Sequence, residues 1–132
     1  MKKLGIGLLV FFAVLLAALL GGYLWVVNTV KNEMASLVYE KVDMDSITDG
    51  TYYGQADAGL VIVKLEVTVK DKKIESITVI QHQNGLGAKA EAITEDIIAQ
   101  NNYDVDGVSG ATLSSEAIKS AVSKALKKGC LE

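Results

Sequence analysis

The 24 residues LGIGLLVFFAVLLAALLGGYLWVV, positions 4–27, constrain this chain more than any other feature. No charged residue falls between Leu4 and Val30. As a helix the run would extend about 36 Å, against a hydrocarbon core of about 30 Å. A cleaved secretory signal has an apolar stretch of only about 7–15 residues and a small-residue cleavage site. This run is longer, and Ala17 and Ala18 are followed by more leucines and aromatics. A buried core helix of that length would leave too little chain to cover it. The reading is a single-pass, uncleaved anchor, with Tyr23 and Trp25 at the far end, where amphipathic rings favour the headgroup layer.

Flanking charge sets the expected orientation. Lys2 and Lys3 precede the span, whereas Lys31 beyond it is soon matched by Glu33. The positive-inside rule then puts the amino end in the cytoplasm and everything after Asn28 outside. In that exported part, eleven lysines stand against sixteen acids, a formal net charge of −5, and there is no arginine. A nucleic-acid binder needs a basic stripe, so that class is excluded. One cysteine, Cys130, gives no disulfide framework, and one histidine, His82, leaves neither a His/Cys metal site nor a Ser-His-Asp hydrolase much to be built from.

Periodicity organises the rest. KNEMASLVYEKV, residues 31–42, has no helix breaker and is expected to continue the anchor as a helical stalk, with Met34, Leu37, Val38 and Lys41 on one side. DMDSITDG, residues 43–50, has turn chemistry. From Thr51 the period becomes two. TYYGQAD (51–57) reads as a first strand, and GLVIVKLEVTVK places Val61, Val63, Leu65, Val67 and Val69 on one face of a second. Asp71, Lys72 and Lys73 form a turn, and KIESITVIQHQ is the returning strand. Two helices follow, with stripes Leu86, Ala90, Ile93, Ile97 and Ala117, Ile118, Ala121, Val122, Ala125, Leu126. Strands first and helices after, without β-α alternation, predict an α+β fold: a small antiparallel sheet of three or more strands packed with two helices.

Between those helices lies DVDGVSGATLSSEAI, residues 104–118. Gly107 and Gly110 permit tight turns and close approach, and Thr112, Ser114 and Ser115 are good helix caps. The residues allow two readings, a well-capped helix or an anion site at the helix amino terminus.

The run Asp106, Gly107, Val108, Ser109, Gly110, Ala111, Thr112, followed by Leu113, Ser114 and Ser115, resembles the acceptor motif of the FMN-binding domain family. That domain occurs in covalent-flavin subunits of the sodium-pumping NADH:quinone oxidoreductase and the related Rnf complex, and in small stand-alone membrane proteins. The resemblance covers about Thr48 to Leu126. It implies that a flavin transferase joins the FMN phosphate to Thr112 as a phosphoester. Ser109, Gly110, Ala111, Leu113 and Ser114 would shape the phosphate pocket, and Asp106 would orient the hydroxyl or bind the transferase's metal. Asp106 could equally be a turn residue.

A second match is Gly85, Leu86 and Gly87, implied to let backbone approach the flavin ring, with Lys89 after them. In the respiratory subunits those glycines follow Glu-Thr-Pro. Here His82, Gln83 and Asn84 precede them, and the chain has no proline. His82 would either hydrogen-bond the ring or sit at a surface strand end. Tyr52, Tyr53 and Tyr103 would either stack on the ring or pack the sheet.

The expected organisation is a cytoplasmic stub and anchor (1–30), a stalk (31–47), an FMN-binding domain (48–128) and a tail (129–132). The expected function is a membrane-anchored extracytoplasmic flavoprotein, passing electrons from a membrane donor, quinol-linked or Rnf-like, to an external acceptor. The alternatives are a subunit of an Rnf-like complex, or a non-redox anchored module binding a partner or a non-covalent ligand.

Overall fold

The uncharged run forms one helix in the computed structural model, which describes residues 2–83 and 88–130. Helix α1 spans Lys2–Ser36 and is long and apolar enough to cross a membrane. The chain divides into two units, Met1–Asn32 and Glu33–Glu132. Within the first, large apolar side chains from Leu4 to Val26 are exposed. Such a surface is stable only where another apolar phase covers it.

The predicted helix over 31–42 stops at Ser36. There the Ser36 hydroxyl donates to the Glu33 carbonyl (2.7 Å), and the Leu37 N–H tightens onto the Met34 carbonyl (3.2 Å). Residues 37–49 then form a non-helical strap in place of a stalk. Leu37 and Ile47 are buried in the core, Ser120 Oγ donates to the Val38 carbonyl, and the Glu40 N–H donates to Ser123 Oγ (3.1 Å). These partners lie more than 80 residues away, so local helix propensity loses to tertiary hydrogen bonds and burial.

Strands β1 (Gly50–Asp57), β2 (Ile62–Lys70) and β3 (Lys73–Gln83) form an antiparallel meander in that order. The two-residue period of β2 is realised as predicted: Val63, Leu65 and Val67 are fully buried and Lys64 is exposed. Burial of each such side chain contributes about 1.5–3 kcal/mol. Asp71 and Lys72 make the two-residue β2–β3 turn, both with positive φ (52° and 61°), as the twist of a tight hairpin requires. Asp49 Oδ1 accepts from the Asp71 N–H (2.8 Å), which holds this turn from one side.

Two bulges in β3 were not foreseen. The pairing skips Glu75 and Ile80, so Ile74, Ile77, Val79 and His82 stand opposite Val69, Val67, Leu65 and Val63. Ile80 is thereby turned out to solvent.

A 3-10 turn (Ala88–Ala92) leads into α2 (Ile93–Gln100), and α3 (Thr112–Gly129) packs on β1 and β2. The predicted stripe of α3 is buried throughout. Contact is closest at Gly54 of β1, where a Cβ would stand 1.9 Å from the Ala121 carbonyl oxygen. At the C-terminus of α2, Asn101 adopts φ 50°, and its amide donates to the Lys72 carbonyl (3.1 Å) and accepts from the Ile74 N–H (2.8 Å). One side chain thus ties the hairpin to the helix and aims the segment that follows.

Candidate functional site

From Asn102 the chain turns back towards the start of α3. Asn102 Oδ1 accepts from the Asp104 N–H (3.0 Å), and Val105 is buried as the anchor of the loop. Val108 to Ala111 close a turn, with the Ala111 N–H 3.0 Å from the Val108 carbonyl. Gly110, the third residue of that turn, has φ +76°, a conformation that favours glycine. The turn is fixed from beneath by Ser115, which is fully buried. Its hydroxyl accepts from the Val108 N–H (2.9 Å) and donates to the Ala111 carbonyl (2.8 Å).

The predicted capping does not occur. Ala111 holds the N-cap position and, among the described residues, no side chain caps α3; Thr112, Ser114 and Ser115 all lie inside the helix. Ser115 is committed to the turn, and Ser114 is buried. The first helical bond runs from the Ser115 N–H to the Ala111 carbonyl (2.9 Å). The N–H groups of Thr112, Leu113 and Ser114 therefore precede the ladder, at the positive end of the helix dipole. Thr112 is the first helical residue and is exposed, as are Asp106, Ser109 and Gly110. Leu113 is half-buried and Ala111 buried, so the motif exposes two hydroxyl residues, Ser109 in the turn and Thr112 at the first helical position, over a packed base.

The 3-10 turn packs against α3 and brings a cation to this loop. Lys89 Nζ lies 2.8 Å from where a Cβ on Gly110 would stand. Behind it, Glu91 Oε1 is 3.0 Å from His82 Nδ1. The His82 side chain is only 1% exposed, because β3 turns it to the helix side of the sheet; the surface reading is corrected. Gly85, Leu86 and Gly87 lie outside the described residues.

On the next turn of α3, Glu116 accepts a hydrogen bond from the Tyr39 hydroxyl (2.5 Å) and pairs with Lys119 Nζ (3.2 Å). Lys119 also pairs with Asp104 (3.4 Å), which ties the loop to the helix. Tyr39 stacks on Tyr103, with centroids 6.4 Å apart. Burial, and then the Glu116 hydrogen bond and charge, push the Tyr39 phenol well above its ordinary pKa. Tyr52 takes the packing role: its hydroxyl donates to the Thr48 carbonyl (2.8 Å), and its ring lies against Gly129. Tyr53 is exposed, with its phenol pKa raised by a hydrogen bond to Glu66.

A cleft of about 330 Å³ opens elsewhere, lined by Val42, Met44, Asn102, Tyr103 and Leu126 among others. Leu126 is fourteen residues beyond Thr112 on α3, roughly 21 Å away. That cleft borders the start of the loop at Asn102 and Tyr103, and its lining does not include Thr112. Among the described residues no group of three or more metal-ligating side chains converges.

Lys89, Ser115 and Glu91 are the site residues that sequence reasoning missed or misassigned. Lys89 stood next to a noted glycine motif, and Ser115 inside the acceptor motif, but their partners come from distant elements.

The FMN-binding domain family model matches residues 61–127, just over half of the chain, from β2 almost to the end of α3. An uncharacterized protein of Treponema pallidum (strain Nichols) is 35% identical over 83 residues, covering 61% of this chain. The chain spans only 23% of that relative's length. With a family match over β2, β3, the loop and the helix that carries Thr112, the chain belongs to the FMN-binding domain family.

Proposed function

We propose that this protein is a membrane-anchored, extracytoplasmic electron carrier that holds FMN as a phosphoester on Thr112. The observation that carries the reading is the placement of Thr112. Its exposed hydroxyl opens α3 beside three backbone N–H groups that no side chain among the described residues caps. A phosphodiester keeps one negative charge, which such a terminus favours. The cradle fits as well: glycine at position 110 leaves open the space that a Cβ would take from the approaching Lys89 ammonium. FMN supplies the redox chemistry, and the chain holds and orients it.

Forming the Thr112 Oγ1–P bond in water requires a phosphoanhydride to break in exchange. A flavin transferase would therefore draw on an activated flavin nucleotide. The departing nucleotide takes the electron pair, and the threonine proton passes to a base on the transferase. Outside the membrane free flavin is scarce, and a covalent link makes retention independent of affinity. The anchor would keep the carrier beside a membrane donor, quinol-linked or Rnf-like, while the acidic unit faces an external acceptor.

The test is intact mass and in-gel flavin fluorescence of the denatured full chain after co-expression with a flavin transferase. The expected result is a gain of one FMN less water, lost completely in Thr112→Val. Absence of that mass in the wild type, or its persistence in Thr112→Val, refutes the attachment.

A further inference from the structure

We propose that Lys89 is the counter-ion of the phosphate carried on Thr112, clamping it across the loop from the side opposite the helix terminus. This rests on the covalent attachment proposed above. Lys89 is the second residue of the 3-10 turn, whose backbone is held from two sides. Ala90 and Ile93 are fully buried, and Glu91 contacts His82 of β3. From that fixed base the side chain extends to Gly110, and its ammonium lies where a Cβ would otherwise stand.

Three features make this more than a solvated lysine leaning on a glycine. Among the described residues Lys89 forms no ion pair, although the unit carries a net negative charge. Two carboxylates flanking the loop, Asp104 and Glu116, are occupied by Lys119. The loop also leaves one approach open: Gly110 is two residues before Thr112, so their Cα atoms are at most about 7 Å apart. A phosphate on the threonine oxygen then falls within a rotation of the lysine side chain. It would meet the ammonium on one side and the N–H groups of Thr112 to Ser114 on the other. The chain has no arginine and Lys119 is committed to Asp104 and Glu116, which leaves Lys89 as the cation at Gly110 without an ion pair among the described residues. It acts through the phosphate and touches no reacting atom of the flavin, so it is a positioning residue.

The experiment compares loaded and unloaded full-length chain in detergent for the wild type, Lys89→Gln and Lys89→Arg. Intact mass gives the loaded fraction and thermal unfolding gives the rise in Tm on loading. The unloaded variants should unfold within about 1 °C of the wild type, since an exposed lysine without a partner contributes little. On loading, Lys89→Gln should gain about 1–5 °C less than the wild type, and Lys89→Arg should regain that difference. High salt should shrink the wild-type gain towards that of Lys89→Gln. Reduced loading of Lys89→Gln with normal loading of Lys89→Arg also supports the clamp. An equal Tm gain in Lys89→Gln and the wild type overturns it, as does loss of loading in both variants with a lowered unloaded Tm. A wild type that gains no FMN mass overturns the attachment reading first, and this proposal with it.

Discussion

Gly54→Ala separates local propensity from tertiary packing, because the two predict opposite signs. Gly54 lies within β1 and does not have positive φ, so alanine there is expected to stabilise the strand by about 0.5–1 kcal/mol. The added Cβ, however, would stand 1.9 Å from the Ala121 carbonyl oxygen, 2.9 Å from its carbon and 3.0 Å from the Ala125 Cβ. An ordinary carbon–oxygen contact is roughly 3.3 Å, so α3 must lift by about 1.4 Å at this point. The obstacle is helix backbone, which cannot rotate away. A gap of about 0.5–1 Å already forfeits a quarter to a half of each dispersion contact, and Ala121, Val122 and Ala125 are all fully buried here. The expected cost is about 3 kcal/mol, at the upper end of ordinary overpacking. For a unit of this size that lowers Tm by roughly 12–24 °C. Thermal unfolding of the full chain in detergent, followed by near-UV circular dichroism, measures it. Gly107→Ala is the control, because its Cβ would meet Ser115 Cβ at an ordinary 3.4 Å. A Gly54→Ala Tm at or above that of the wild type would refute the close approach of α3 to β1.

Three further outcomes are expected. Ser115→Ala removes both bonds that brace the Val108–Ala111 turn from beneath and leaves the part-buried Val108 N–H without that partner; it should cost about 1–3 kcal/mol by denaturant titration and lower FMN loading on Thr112. Asn101→Gly keeps the left-handed backbone but loses both bonds to the β2–β3 hairpin, so it should cost about 1–3 kcal/mol, with the first extra amide exchange appearing at Ile74. Folding raises the Tyr39 pKa, so between the unfolded value of 10.0 and the higher folded value the native state binds more protons. Stability must then fall as pH rises above about 10, and Tyr39→Phe should flatten the fall in Tm between pH 9 and pH 11.

Much of the fold was legible because its signals are local. KIESITVIQHQ, read from alternation and the Asp71–Lys73 turn, forms β3 over the same residues. The α3 stripe repeats every three to four residues and is buried in full. Where reading failed, the deciding partner lay far away in sequence. Residues 37–42 have helical spacing, yet Ser120 and Ser123 of α3 offered their backbone other hydrogen bonds. Serines beside a helix start suggested caps, but Ser115 is spent beneath the turn and Ala111 sits at the cap. That difference sharpens the candidate site, because no side chain among the described residues consumes the terminal N–H groups.

The sequence by itself determined the apolar span, the alternation of the strands, the stripes of the helices and the threonine to which the motif points. The first three are patterns over a few neighbouring residues, set by backbone geometry and by the exclusion of apolar groups from water, and the threonine rests on the motif's resemblance to the family. Only the tertiary structure decided that the strap crosses α3, that β3 encloses His82, and that Lys89 reaches Gly110. Those depend on which distant surfaces meet. Burial is nondirectional, so many surfaces could have met; hydrogen bonds and close backbone contacts selected these.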